Sequence, residues 1–146
     1  MAIGIKTFFQ ILADIVVASS AALVTTGLTS PIAAGQTQKI RCWIPVTVGA
    51  TGGLRLQIVV PAGGTIFEAT IKLFNTVAPS LTTAEQQASA AFTNALANAG
   101  DHWLEVEATI VNGATAGNID IQMAQNTVDV LTLTIKRGGT MEVIKS

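Results

Sequence analysis

The sequence predicts an all-β protein, an antiparallel sandwich or barrel of roughly eight or nine strands. Apolar residues alternate with polar ones at a period of two, which is the pattern of a strand with one buried face. Turn-forming Gly, Pro and Asn residues separate these stretches at intervals of about 8 to 12 residues, a spacing typical of sandwiches and barrels. A chain of 146 residues is the usual length of one domain and can bury a core without metals or disulfides.

The composition indicates a surface that is neutral or covered by partners. Hydrophobic residues make up 49% of the chain and charged residues only 12%, whereas a typical soluble domain has about 25% charged residues. The net charge is −1, and no basic run is longer than Lys136-Arg137. A nucleic-acid-binding protein would carry a basic stripe, so we expect no nucleic-acid partner.

The first residues, 1–13, are expected to form an apolar N-terminal arm, and residues 14–146 to form the β-sandwich domain. The arm carries six large apolar side chains within ten positions, and a neighbouring subunit is expected to cover them. Trp43, on the polar face of a later strand, lies either under a loop or at an interface. The candidate interface residues are therefore Ile3, Ile5, Phe8, Phe9, Ile11, Leu12 and Trp43.

A cleaved signal peptide is the alternative for the first 20 residues. Lys6 precedes an apolar stretch that ends in small residues, but Gln10 and Asp14 interrupt it and no clean cleavage site follows. A transmembrane helix needs about 20 uninterrupted apolar residues, which the chain lacks, so we expect no membrane partner.

The longest early strand is predicted over Lys39–Val48, after short strands from Asp14 and over Ala21–Leu28. Its Pro45 cannot donate a ladder hydrogen bond, so the strand lies at an edge or Pro45 lies at a bulge. Cys42 is expected to be a buried hydrophobe, because a single Cys and a single His make neither a disulfide nor a thiolate metal cluster. The inward-facing set is Ile40, Cys42, Ile44, Val46 and Val48.

Two more strands are predicted over Leu54–Val60 and Phe67–Leu73, and one helix over residues 82–99. Thr82 and Glu85 have the spacing of a capping box, and the following apolar residues recur at helical spacing. A long Ala/Thr loop or a strand is the alternative for these residues.

A hairpin is predicted from Trp103–Val111 and Ile119–Met123, since Asn112 and Gly113 lie between them and tolerate the backbone of a tight turn. The last two strands follow over Val128–Ile135 and around Met141 and Val143. The expected core set of the hairpin is Leu104, Val106, Ile110, Ile119 and Ile121.

No enzyme is predicted. Glu105 and Glu107 share one face of a strand, and the simplest interpretation is a solvated face or contacts with Arg55 or Lys72. Catalysis on sugars would need a groove with aromatic platforms, and the chain has no Tyr and 5% aromatic residues. We therefore expect no catalytic residues, no metal ligands and no cofactor.

Several motifs resemble small structural proteins of tailed bacteriophages. They are Lys39-Ile-Arg-Cys-Trp-Ile-Pro-Val, Thr51-Gly-Gly-Leu-Arg-Leu, Ala114-Thr-Ala-Gly-Asn-Ile-Asp-Ile-Gln-Met-Ala and Lys136-Arg-Gly-Gly-Thr-Met-Glu-Val-Ile. The resemblance covers residues 14–146, with Gly139-Thr140 where Gly-Ser is common in that group. It implies a jelly-roll or β-sandwich fold, with residues 82–99 as a local elaboration.

The resemblance also implies a role in the virion, first as a capsid decoration (cement) protein on the head surface. The expected partners are the chain itself, as a homotrimer, and the major capsid protein or other virion proteins. One alternative is a tail or fibre module that binds a host surface glycan. Another is a secreted pilus-like or cell-surface subunit, which would require that the first 20 residues are a cleaved signal.

Overall fold

The computed structural model describes residues 4–49, 53–75, 81–86, 92–94 and 99–146. Within these ranges there are twelve strands and no helix, hence none that could span a membrane. The strands are β1 (Ile5–Gln10), β2 (Ile15–Val17), β3 (Val24–Ile32), β4 (Thr37–Val48), β5 (Leu54–Val59), β6 (Thr65–Asn75), β7 (Leu81–Gln86), β8 (Phe92–Asn94), β9 (Gly100–Val111), β10 (Gly117–Ala124), β11 (Leu133–Ile135) and β12 (Thr140–Lys145).

The strands form two antiparallel sheets that share one core. Sheet A has the order β1-β12-β4-β9-β6-β7, with β11 between β2 and the end of β4, and sheet B has the order β3-β10-β5-β8. Buried residues of both sheets belong to one hydrophobic cluster. The predicted all-β, antiparallel class is confirmed. The strand number was underestimated, because β1 lies in the residues expected to form an arm, and β7 and β8 lie in the predicted helix.

The predicted core residues are buried, but they come from opposite sides of the core. Leu104, Val106 and Ile110 project inward from sheet A, whereas Ile119 and Ile121 project inward from sheet B, and all five are fully buried. The inward set of β4 is buried as well. The period of two therefore identified the buried faces of β4, β9 and β10 correctly.

The predicted hairpin is wrong. The first of its strands, β9, pairs with β4 and β6, and the second, β10, pairs with β3 and β5 of the other sheet. Asn112 and Gly113 instead lie in the connection that takes the chain from sheet A to sheet B. The Asn112 side-chain amide donates to the carbonyls of Ala33 and Thr115, at 2.9 and 2.8 Å. Gly113 lies so close to Gly63 that a Cβ would come within 2.5 Å of its carbonyl oxygen, so this glycine permits close backbone contact.

The predicted helix over residues 82–99 is also wrong where the structure describes those residues. Leu81–Gln86 is strand β7, paired with β6, and Phe92–Asn94 is strand β8, paired with β5. Residues 87–91 and 95–98 of the predicted helix lie outside the described ranges. The helical spacing came mostly from Ala, whose shallow stripe provides little burial. Pairing with existing sheets therefore overrides local helix propensity.

Pro45 does not lie in an edge strand, as one of the two predicted alternatives had it; it lies in an interior strand beside an interruption of the ladder. Both β11 and β12 pair with the same side of β4, and residues 136–139 interrupt them. Lys136 N donates to the Pro45 carbonyl at 2.9 Å. Because the interruption lies beside Pro45, the missing N–H of this proline costs no regular ladder bond.

Cys42, three residues earlier, is buried as expected, and burial raises the pKa of its thiol.

The N-terminal residues pair with sheet A in a single register. β1 pairs with β12 and β2 pairs with β11 without a shift between them. Between the two strands, Ile11 N donates to the Gly139 carbonyl at 2.8 Å, and Asp14 accepts a hydrogen bond from the Arg137 backbone N–H at 2.7 Å. The division into an arm (1–13) and a domain (14–146) stays a prediction.

Val106→Asp is predicted to abolish folding. The side chain is fully buried between the sheets, and an uncompensated buried charge costs roughly 3–5 kcal/mol, much of the stability of an ordinary domain. Thr109→Asp on the outward face of the same strand is the control. The measurement is soluble yield and the thermal unfolding midpoint. Normal folding of Val106→Asp would contradict the assigned face of β9.

Candidate interaction surface

The outer face of sheet A is the candidate interaction surface. It consists of the side chains of β1, β12, β4, β9 and β6 that point away from the core. The register places Arg41 beside Glu107 on one side and Glu142 on the other, and Trp43 beside Glu105. Its main residues are Lys6, Phe8, Lys39, Arg41, Trp43, Glu68, Thr70, Lys72, Trp103, Glu105, Glu107, Glu142 and Ile144.

An ion cluster occupies the centre of this face. The Arg41 guanidinium lies 2.6 Å from Glu105 and 2.9 Å from Glu107, and Lys72 Nζ lies 3.7 Å from Glu105. The Glu105 side chain is only 6% exposed, so its charge requires these partners. The hydrogen bond from Arg41 lowers the pKa of Glu105, and the opposing effect of burial is smaller. Of the two predicted cationic contacts, Lys72 is present, whereas Arg55 belongs to sheet B.

Two tryptophans flank the ion cluster. Trp43 is 39% exposed and Trp103 is 45% exposed. Trp103 lies opposite Pro45, so the two indoles are diagonal neighbours on adjacent strands. The Arg41 guanidinium lies 5.1 Å from the Trp43 ring centroid, within the range of a cation–π contact. The interface role of Trp43 stays a prediction.

A groove of about 420 Å³ lies on the same face. Its charged lining consists of three cations and three anions: Lys6, Lys39, Arg41, Glu68, Glu107 and Glu142. Lys6 and Glu142 are paired at 2.5 Å, and Arg41 contacts Glu107, so the groove is close to neutral. In the described part of the chain, no three His, Cys, Asp or Glu side chains are grouped as metal ligands would be. The arrangement fits contact with a neutral surface or a polar, uncharged ligand.

The predicted interface residues of the N-terminus divide into two groups. Ile5, Phe8 and Leu12 are 70%, 68% and 84% exposed. Phe9 packs partly against the core and Ile11 is buried in it. Ile3 lies outside the described residues. The exposed group therefore lies along the edge of sheet A, whereas Ile11 anchors that edge to the rest of the chain.

A second apolar surface was missed because its residues were assigned to a strand. Only Leu133–Ile135 of the predicted strand Val128–Ile135 is in β11, and Val128, Val130 and Leu131 are exposed in the preceding segment. The Gln125 side chain holds this segment. Its amide donates to the carbonyls of Asp129 (3.2 Å) and Leu131 (2.5 Å), and its oxygen accepts from Ser20 N at 3.1 Å. The polar run Gln125-Asn126-Thr127 is the sequence signal from which this irregular segment could have been predicted.

Comparison with known proteins gives remote likenesses only. No protein-family model and no curated protein sequence matches the chain. Among solved structures, the tripod from the baseplate of bacteriophage Tuc2009 is 14% identical, with a TM-score of 0.40 over 96% of this chain and 62% of that one. The Clostridium thermocellum endo-1,4-beta-D-xylanase 10B, complexed with xylohexaose, is 8% identical, with a TM-score of 0.35 over 94% and 28%.

The subviral particle protein of infectious bursal disease virus is 13% identical, with a TM-score of 0.26 over 97% of this chain and 41% of that one. The chain thus spans less than two thirds of the length of each of these three proteins. They include components of a phage baseplate and of a viral particle. At these TM-scores the likenesses add nothing on function to what the residues of this chain indicate.

Glu105→Gln is predicted to lower stability at pH 7 by about 1–2 kcal/mol. The lowered pKa of Glu105 means that its contribution is present above the ordinary carboxyl value of about 4.3 and is lost as pH falls through the folded-state pKa. The difference in the free energy of unfolding between wild type and Glu105→Gln should therefore disappear at acidic pH. Urea unfolding at several pH values measures it.

Glu107→Gln is the matched control, because Glu107 contacts the same Arg41 but its side chain is 46% exposed. Glu107→Gln should therefore lower the free energy of unfolding less than Glu105→Gln does. A Glu105→Gln gap that stays constant down to acid pH would show that the charge of Glu105 is not what stabilises the face.

Proposed function

We propose that the chain is a non-enzymatic structural subunit of a tailed bacteriophage virion, and specifically a capsid decoration (cement) protein. One observation carries the proposal: large apolar side chains remain exposed although the core of the chain is filled. Ile5, Phe8 and Leu12 line the edge of sheet A, and Val128, Val130 and Leu131 form a second group. Grouped apolar side chains of this kind mark surfaces that another protein covers.

The connectivity supports this proposal, because we infer a jelly roll from it. Of the eight strands from β3 to β10, four are neighbours in sheet B in the spatial order β3-β10-β5-β8. The other four are neighbours in sheet A in the spatial order β4-β9-β6-β7. Eight strands in two four-stranded sheets linked as two Greek keys make a jelly roll, an architecture of viral capsid domains and of lectins. A fold of this kind does not fix function. The choice therefore rests on the exposed apolar groups, and the resemblance to phage structural proteins agrees with it.

The proposed mechanism is mechanical. Each subunit buries its exposed apolar groups against neighbouring copies and against the major capsid protein, at about 25 cal/mol per Å² of apolar area. A decoration protein is present in many copies on one shell, so modest contacts add up through multivalency. The homotrimer expected from the sequence stays a prediction.

The test is quantitative mass spectrometry of gradient-purified particles of the phage that encodes the chain. A decoration protein is expected at a copy number commensurate with that of the major capsid protein. A far lower copy number, equal to that of tail proteins, would favour a tail component. Absence from purified particles would overturn the virion role altogether.

A tail module that binds a host surface glycan is the second candidate. Trp43 and Trp103 favour it, since they expose aromatic surface on the sheet face that also carries the neutral groove. The expected result is quenching of tryptophan fluorescence by host envelope polysaccharide, lost in Trp103→Ala. Phe67→Ala is the control, because Phe67 is an exposed aromatic of sheet A that lies seven residues along β6 from Phe74, the partner of Trp103. Unchanged fluorescence of the wild-type protein would contradict glycan binding and leave the decoration role as the remaining candidate.

A further inference from the structure

We propose that the free edge of β1 binds β1 of a second copy of this chain. The two strands would run antiparallel across a two-fold axis perpendicular to sheet A, and the two sheets would become one. The inference rests on the self-association part of the proposed function and deepens it. Since purified chain alone tests it, its failure is distinguishable from absence of the protein from virions.

The backbone of β1 has hydrogen-bonding groups that point away from the molecule. β1 is the end strand of sheet A, and β12 is its only neighbour among the described strands. Ile11 directs both its N–H and its carbonyl toward residues 138–139, with bonds of 2.8 and 2.9 Å. This direction alternates along an antiparallel strand. The N–H and carbonyl groups of Lys6, Phe8 and Gln10 therefore point to the free edge.

The strand β1 lacks the features by which proteins usually prevent edge pairing, namely short length, proline, bulges and unpaired charges. It has six residues, with no proline and no shift in register. At the edges of sheet B, by contrast, β8 has three residues, and β3 contains Pro31 and a positive-φ Gly27 and faces a register shift in β10.

The side chains of β1 also favour a second strand. Phe8 and Ile5 are exposed on opposite faces of the strand, so an added strand would bury apolar surface on both. Lys6 is the only charged residue of β1, and Glu142 of the neighbouring strand neutralises it at 2.5 Å. Two β1 edges can therefore approach each other with little charge repulsion.

The geometry of β1 meets the requirement of a two-fold axis. Such an axis keeps the outer faces of both sheets on one side, so outward-facing residues must lie opposite outward-facing residues. In β1, Lys6, Phe8 and Gln10 face outward, and they are the same residues whose backbone groups point to the free edge. Of the registers that satisfy both conditions, two align five of the six β1 residues of each copy: Phe8 opposite Phe8 of the second copy, or Phe8 opposite Lys6 of the second copy.

This pairing gives an even number of subunits and so competes with the homotrimer expected from the sequence. Light scattering on purified chain distinguishes the two. A dimer that dissociates when the β1 edge is altered supports the inference. A monomer at micromolar concentration, or a trimer that edge variants leave intact, overturns it.

Phe8→Lys is the main variant, because it places like charges opposite each other in either register. The dimer dissociation constant is expected to rise by about tenfold or more. Phe67→Lys is the matched control, since Phe67 is another exposed phenylalanine of sheet A, 70% exposed against 68% for Phe8, but lies on β6. It should leave the dimer unchanged. Equal effects of the two variants would overturn the inference.

Two further variants test the backbone edge and the register. Phe8→Pro removes an N–H that points to the free edge and leaves the bonds to β12 in place, so a folded monomer is expected; circular dichroism checks the fold. Phe8→Glu reads the register, because Glu would lie opposite Lys6 in one register and opposite itself in the other. A Phe8→Pro protein that is folded and still dimeric would show that the backbone edge is not the contact.

Discussion

The antiparallel pairing of β4 with β9 is the constraint on which the rest of the structure depends. All twelve residues of β4, Thr37–Val48, have partners in Gly100–Val111. This ladder assigns every side chain of both strands to one of two faces, since a slip of one residue would exchange them. On the inner face it aligns Cys42 with Val106 and Ile44 with Leu104. On the outer face it brings Arg41 to Glu107 and Trp43 to Glu105, so core and candidate surface come from one register.

The outer face combines a buried ion pair with a low net charge. Glu105 is an acidic side chain with almost no contact with water, held by Arg41 and Lys72. A buried charge contributes little net stability, but it permits only the arrangement in which its partners are present. The indole of Trp43 packs under the same guanidinium. The face is nearly neutral, because its Lys and Arg side chains are matched by Glu side chains.

The alternating pattern predicted most of the strands and the core residues of β4, β9 and β10, but not which strands are neighbours. Val106 and Ile121 were both correctly expected in the core, yet they belong to different sheets. A period of two reports only that one face is dry, whereas pairing depends on the crossing at Asn112 and Gly113. The helix failed for a related reason, because alanine spacing is a local signal and β7 is formed by its contact with β6. The polar run before Val130 indicated an irregular segment, but the backbone N–H of Ser20, which helps to hold that segment through Gln125, is too distant in sequence to be recognised.

The pairing of β1 with β12 has a consequence for the order of folding. Ile5 lies opposite Lys145, so a ribosome must synthesise almost all the intervening chain before β1 can find its neighbour. Contacts between residues so distant in sequence form late, since loop closure is entropically costly. During translation, the apolar strand has no partner in its own chain and is open to chaperones or to other nascent copies. Slow codons or chaperone depletion before β12 emerges should therefore favour aggregation through the N-terminal strand.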